Sequence, residues 1–237
     1  MKLRIVHHSE TFNGLSYGEW AAIWANWFFS KDVDSYKGQE LLFLRGDVNY
    51  RPVSEAEGAI RYQDADSFLD MTGQKGHKIL EGTSILIPVS VSVYAIGSHL
   101  EGKYIENELE LRNAVNCDLD NVRTLWATVT MEKSKEIIKL VPNLASYRTE
   151  SPLFKLTVPK DSALNDVVDE PLKPGIYDAV AAGYFVLIRG LAPSMYRIVF
   201  GSEGPGEYAT RSVYDIVVFP DNRKKPLDIS GSSRYHK

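Results

Sequence analysis

The first clear pattern along the chain is a stripe of large apolar side chains at helical spacing. Its members are Tyr17, Trp20, Ile23, Trp24, Trp27 and Phe28. Ser16 and Glu19 form a capping box, in which each side chain can accept a hydrogen bond from the other residue's backbone N–H. Leu15 stands where a hydrophobic staple would contact Trp20. We therefore predict a tryptophan-rich helix over about residues 16–29, with this stripe buried. The opposite face carries Gly18, Glu19, Ala22, Ala25 and Asn26.

After this helix, the period of the apolar residues changes to two. Between residues 84 and 93, Ile85, Ile87 and Val89 begin an alternation with small or polar residues, which is typical of a strand with one buried face. Pro88 cannot donate a backbone hydrogen bond, so we predict an edge position or a bulge there. Comparable runs predict strands at 41–45, 123–131, 136–141, 154–158, 177–189, 196–200 and 213–219.

The order of these elements predicts the fold class. Strands that are not regularly interleaved with helices favour a mostly β protein, an antiparallel β-sandwich for which a jelly roll is one candidate topology. One further short helix is predicted over 104–115. Residues 48–76 are polar and predict a long connection, while residues 221–237 carry five Lys or Arg against two Asp. We predict a single sandwich domain over 1–220 and a basic C-terminal tail over 221–237.

Composition narrows the classes of function. A formal net charge of −4 gives no broad positive field, so we expect no nucleic-acid partner. The single Cys117 excludes an internal disulfide framework and fits a reducing compartment. The longest apolar runs are about half the length of a membrane helix, so we expect no membrane span. Residues 1–12 contain no apolar core of a signal peptide, which predicts a cytoplasmic origin or a virion.

Several segments in order resemble a protein family that has no established activity. The family pattern opens with SYGEW and W-x-x-W, here Ser16 to Trp20 with Trp24 and Trp27, followed by Phe-Leu-x-Gly at 43–46. A G-T-x-I-L-I-P-V strand follows, here 82–89, and the segments 183–187 and 191–193 are similar to the family's last region. The resemblance implies a β-rich fold and supplies no catalytic residues. Many members of the family begin with a secretion signal.

Two groups of residues are candidates for ligand binding. Asp118, Asp120 and Asn121 place two carboxylates and an amide close together, which is a fragment of an oxygen-ligand set for Ca²⁺. The alternative is a turn and capping segment before the strand at 123. Trp126 alternates with Leu125 and Ala127, so it could face solvent as a platform for a sugar ring. The helix tryptophans are better explained by core packing.

The sequence lacks several common catalytic motifs. There is no Gly-x-Ser-x-Gly elbow, no HExxH and no Walker A sequence. His77 and His99 are candidate bases for Cys117 or a serine, although no motif in the sequence places either histidine close to a nucleophile. Glu106 and Glu110 are better explained as one solvated helix face than as a pair of catalytic acids.

The leading hypothesis is therefore a non-enzymatic structural or interaction protein without a cofactor. It would assemble with itself or with other chains, and a virus or phage particle is one setting for it. The first alternative is a carbohydrate- or surface-ligand-binding sandwich domain, and the second is a hydrolase of unknown class.

Overall fold

The computed structural model describes residues 3–30, 41–45, 51–52, 68–69, 75–134, 136–140, 143–162, 172–205 and 208–221. The helices within them are α1 (Tyr17–Ser30), α2 (Glu108–Asp120) and a 3-10 helix (Leu144–Tyr147). The strands are β1 (Arg4–Ile5), β2 (Leu41–Phe43), β3 (Arg51–Pro52), β4 (Phe68–Leu69), β5 (Lys75–Leu80), β6 (Ser84–Ala95), β7 (His99–Leu100), β8 (Lys103–Tyr104), β9 (Thr124–Met131), β10 (Ile137–Lys139), β11 (Arg148–Glu150), β12 (Phe154–Val158), β13 (Gly175–Arg189), β14 (Ser194–Glu203) and β15 (Tyr208–Phe219). The prediction of a mostly β fold is confirmed.

Two sheets contain most of these strands. The six-stranded sheet has the order β1-β13-β6-β2, with β11 and β12 also paired to β13. The seven-stranded sheet has the order β10-β9-β14-β15-β5-β4, with β3 paired to β15. Most pairs are antiparallel as predicted, but β2 runs parallel to β6 and β5 runs parallel to β15. Each parallel pair joins strands that are far apart in sequence, which leaves the chain length that a crossover needs.

The two sheets share one hydrophobic core. Phe185 and Leu187 come from the six-stranded sheet, and Phe200 and Ile216 come from the seven-stranded sheet. Tyr214 of the seven-stranded sheet binds the chain just after β2, because its hydroxyl donates to the backbone oxygen of Arg45 at 2.9 Å and accepts from the Arg45 N–H at 2.9 Å. The result is a sandwich-like arrangement.

Strand β6 differs from its prediction in one respect. Leu86 and Ser84 are buried together with Ile85, so both faces of this part of the strand are covered. The reason is that elements from outside its own sheet also pack on β6, namely α2 and the strands β9 and β14 of the seven-stranded sheet. The register shifts between Tyr184 and Phe185, whose partner on β6 is Pro88. The predicted bulge is therefore confirmed, and the described pairing of β2 with β6 covers residues 84–86 and does not reach Pro88.

Helix α1 begins as predicted. The Ser16 N–H donates to the Glu19 carboxylate at 2.8 Å, and the Glu19 N–H donates to the Ser16 hydroxyl at 3.3 Å. The opposite face of the helix is also largely buried: Ala25 is 0% exposed, and a Cβ on Gly18 would lie 2.5 Å from the backbone oxygen of Glu150. An α-helix covered on nearly all sides belongs to the interior of the fold.

On this second face of α1, Asn26 completes the edge of the six-stranded sheet. Its amide nitrogen donates to the Lys155 backbone oxygen at 3.0 Å, and its amide oxygen accepts from the Thr157 N–H at 3.0 Å. One side chain thus makes the two hydrogen bonds that a neighbouring strand would make with β12.

Helix α2 lies further along the chain than the predicted range 104–115. A hairpin of β7 and β8 precedes it, and its turn has positive φ at Glu101 (48°) and Gly102 (83°). Asn107 then caps the helix by accepting from the Glu110 N–H at 3.0 Å. Glu106 therefore stands before the helix, and its N–H donates to the Glu110 carboxylate at 2.8 Å. The interpretation of Glu106 and Glu110 as one helix face is wrong.

Two predicted segments lie mostly outside the described residues. The connection at 48–76 includes β3, β4 and the start of β5, and the rest of it is not described. Of the predicted tail over 221–237, only Asp221 is described.

Candidate functional site

Helix α2 is fixed to β11 by a network of charged and polar side chains. Arg112 pairs with Glu108 on its own helix at 2.5 Å and with the Glu150 carboxylate on β11. Asn116 donates to the other oxygen of Glu150 at 2.6 Å. Hydrogen bonds to charged groups are stronger than neutral ones, so this network holds the helix in a fixed position on the sheet.

Arg148 extends the network to the end of α2. Its guanidinium donates to the amide oxygen of Asn116 at 2.7 Å and to the Asp120 carboxylate at 2.6 Å. Negative charge at a helix C-terminus opposes the helix dipole, and the arginine offsets that effect for Asp120. The geometry explains Asp120 as part of a structural network.

The other members of the predicted Ca²⁺ set have separate partners. Asp118 accepts from the Ser92 hydroxyl at 2.6 Å, and Asn121 donates to the backbone oxygen of Cys117 at 3.0 Å. Burial raises the pKa of Tyr94, and the Asp118 carboxylate beside it raises that pKa further. No group of three or more His, Cys, Asp or Glu side chains suited to a metal occurs among the described residues. Ca²⁺ binding at Asp118, Asp120 and Asn121 stays a prediction.

Trp126 lies on the outward face of the seven-stranded sheet. Ala127 and Val129 are 4% and 0% exposed, so their side of β9 faces the core and Trp126 is on the other side. Its cross-strand partner is Gly201, and the indole ring lies 2.7 Å from where a Cβ of residue 201 would stand. A glycine at this position leaves the space that the ring occupies.

The hairpin of β7 and β8 and the start of α2 form a second exposed feature, which we call the hairpin-helix surface. Tyr104 is 62% exposed and Leu109 is 69% exposed. Exposed carboxylates of Glu101 and Glu106 lie in the same stretch of chain. The sequence reasoning missed this surface. The Glu101-Gly102 turn was the available signal, because Gly after a polar residue favours a two-residue hairpin.

The predicted catalytic residues are placed on separate elements. The His99 ring lies against the Tyr104 ring, with centroids 5.1 Å apart, and Cys117 is exposed on α2. His77 lies in β5, and its side chain is outside the described residues. These positions do not support the hydrolase hypothesis, because they bring no candidate base next to a candidate nucleophile among the described residues.

These features define a mostly β, sandwich-like protein with a buried tryptophan-rich helix. No family model, curated protein or solved structure matches this chain. Neither α1 nor α2 has the length and apolar character to cross a bilayer, and no other described helix does.

Proposed function

We propose that the protein is a non-enzymatic interaction module that assembles with copies of itself or with other protein chains. The observation that carries this proposal is the hairpin-helix surface, where Tyr104 and Leu109 are 62% and 69% exposed. A continuous apolar patch with a polar rim is typical of contact surfaces between proteins, and we infer that Tyr104 and Leu109 contribute to one patch. A virus or phage particle is a setting that the sandwich-like fold supports only in general terms.

Charge suggests what the hairpin-helix surface would contact. Four Glu and one Lys are exposed between residues 101 and 110, so this surface carries a net negative charge. The sequence over 221–237 contains five Lys or Arg against two Asp. We propose the basic tail of a neighbouring copy as its partner. Opposite charges of this kind increase the association rate and select partners, and salt weakens their attraction.

The test is the mass in solution by light scattering, over a concentration series at two salt levels. We expect a defined oligomer that dissociates at the higher salt level. Leu109→Ser should weaken it, whereas Ile176→Ser is the matched control, because Ile176 is also 69% exposed but lies on β13. A strict monomer at high concentration, or equal effects of the two variants, would reject the proposal.

The second candidate is a carbohydrate-binding domain. The outward position of Trp126 over Gly201 favours it, because a flat aromatic ring on a sheet face can stack on a sugar ring. A glycan array with and without a Ca²⁺ chelator tests both this candidate and the predicted Asp118, Asp120 and Asn121 site. Binding that Trp126→Ala removes would support it, and no binding in either condition would reject it.

A further inference from the structure

His7 and His8 bring two imidazole rings together at the end of β1. Neighbouring side chains point to opposite sides in a strand, but β1 ends at Ile5, before this pair. A turn follows, in which the Glu10 N–H donates to the His7 backbone oxygen at 2.9 Å. The two ring centroids are 4.1 Å apart with an interplanar angle of 39°, and both residues are exposed.

The backbone that carries this pair is firmly held. Val6 is 2% exposed, and its N–H donates to the Leu187 backbone oxygen at 2.9 Å. Its own oxygen accepts from the hydroxyls of Tyr17 at 2.9 Å and Tyr147 at 3.3 Å. The His7 N–H donates to the Glu10 carboxylate at 3.1 Å. The backbone of Val6 and His7 is therefore fixed, and the two rings would adjust to a ligand mainly by side-chain rotation.

We propose that His7 and His8 form a binding site for a late first-row divalent metal ion, with Cu²⁺ bound most tightly. Imidazole nitrogen is a ligand for copper, nickel and zinc, and the usual order of affinities places Cu²⁺ above Ni²⁺. Metal–nitrogen distances of about 2.0 Å place two such nitrogens about 3 to 4 Å apart on one ion. Rings centred 4.1 Å apart can reach that separation by side-chain rotation.

The neighbouring contacts indicate which atoms would bind the ion. His7 Nδ1 lies 2.8 Å from the Ser9 hydroxyl and accepts from the Ser9 N–H at 3.3 Å, so Nε2 is the nitrogen that His7 would offer. With a metal ion on Nε2, the ring proton would be on Nδ1 and would be donated to the Ser9 hydroxyl, in place of the contact with the Ser9 N–H. A hydrogen bond donated by the second ring nitrogen orients a metal-binding histidine. The exposed position leaves the remaining coordination positions to water. The Tyr147 ring lies beside the pair, with its centroid 5.5 Å from that of His8.

The test is calorimetric titration of the full chain with Cu²⁺ and, separately, with Ni²⁺. We expect one ion per chain at this site, tighter binding of Cu²⁺, and nitrogen coupling in the electron paramagnetic resonance spectrum. His7→Ala and His8→Ala should each weaken Cu²⁺ binding at least tenfold. His99→Ala is the control, since this exposed histidine lies in the β7–β8 hairpin, and it should leave the affinity unchanged.

Two results would overturn the proposal. One is equal Cu²⁺ affinity for the wild type and both variants, and the other is a loss confined to one of the two histidines. Circular dichroism checks that each variant is folded, which we expect because both replaced side chains are exposed. The site does not depend on the proposed assembly, so the two proposals can fail separately.

Discussion

Replacing Asn26 with alanine tests whether α1 completes the edge of the six-stranded sheet. The change removes the hydrogen bonds to the Lys155 oxygen and the Thr157 N–H, both 3.0 Å long. Each is worth about 0.5–1.5 kcal/mol net. Lys155 and Thr157 are exposed, so water can replace part of the loss, and alanine favours the helix by about 0.5 kcal/mol. We expect Asn26→Ala to lower the free energy of unfolding by about 1 kcal/mol.

Urea unfolding and amide exchange together measure this effect. The control is Asn113→Ala, since Asn113 is exposed on α2 and makes the same change in helix propensity. We expect the control to leave stability unchanged or slightly raised. In Asn26→Ala alone, the Thr157 amide should exchange faster, because its acceptor is gone. Equal stability of the two variants, with unchanged exchange at Thr157, would refute the role assigned to Asn26.

Two further predictions concern Gly201 and Tyr17. Gly201→Ala should destabilise the fold by about 2 kcal/mol or more through overpacking, because the added Cβ would lie 2.0 Å from the Thr210 backbone oxygen. An unchanged midpoint of urea unfolding would contradict this prediction. Burial raises the pKa of Tyr17, so above about pH 10 the unfolded chain loses a proton that the folded chain keeps, and stability falls as pH rises. Tyr17→Phe should reduce that alkaline slope, and an unchanged slope would exclude Tyr17 as its source.

The positions of the long strands were predictable because alternation is a local property. Residues 154–158 alternate in the sequence and form β12 over the same range. Strand partners are not a local property. Nothing in residues 41–45 indicates that β2 pairs in parallel with β6, because this choice depends on packing across distant parts of the chain.

In the candidate sites, too, features formed by nearby residues were predictable and contacts between distant residues were not. The capping box of Ser16 and Glu19 could be found because its members are three residues apart. The contact of Arg148 with Asp120 joins residues 28 apart, and the sequence therefore left Asp120 as a candidate Ca²⁺ ligand. The Glu101-Gly102 pair could have predicted the β7–β8 hairpin, but the prediction of a helix from residue 104 left no room for its second strand.

The placement of β13 has a consequence for synthesis on the ribosome. Residues 4–5 pair with residues 188–189, and the Trp24 ring packs against Phe185 with centroids 5.7 Å apart. The N-terminal strand and helix are therefore made long before the strand that buries them. Contacts between such distant residues form slowly. Until residue 189 has left the exit tunnel, the aromatic stripe of α1 lacks part of its native cover, and transiently exposed apolar surface of this kind favours aggregation.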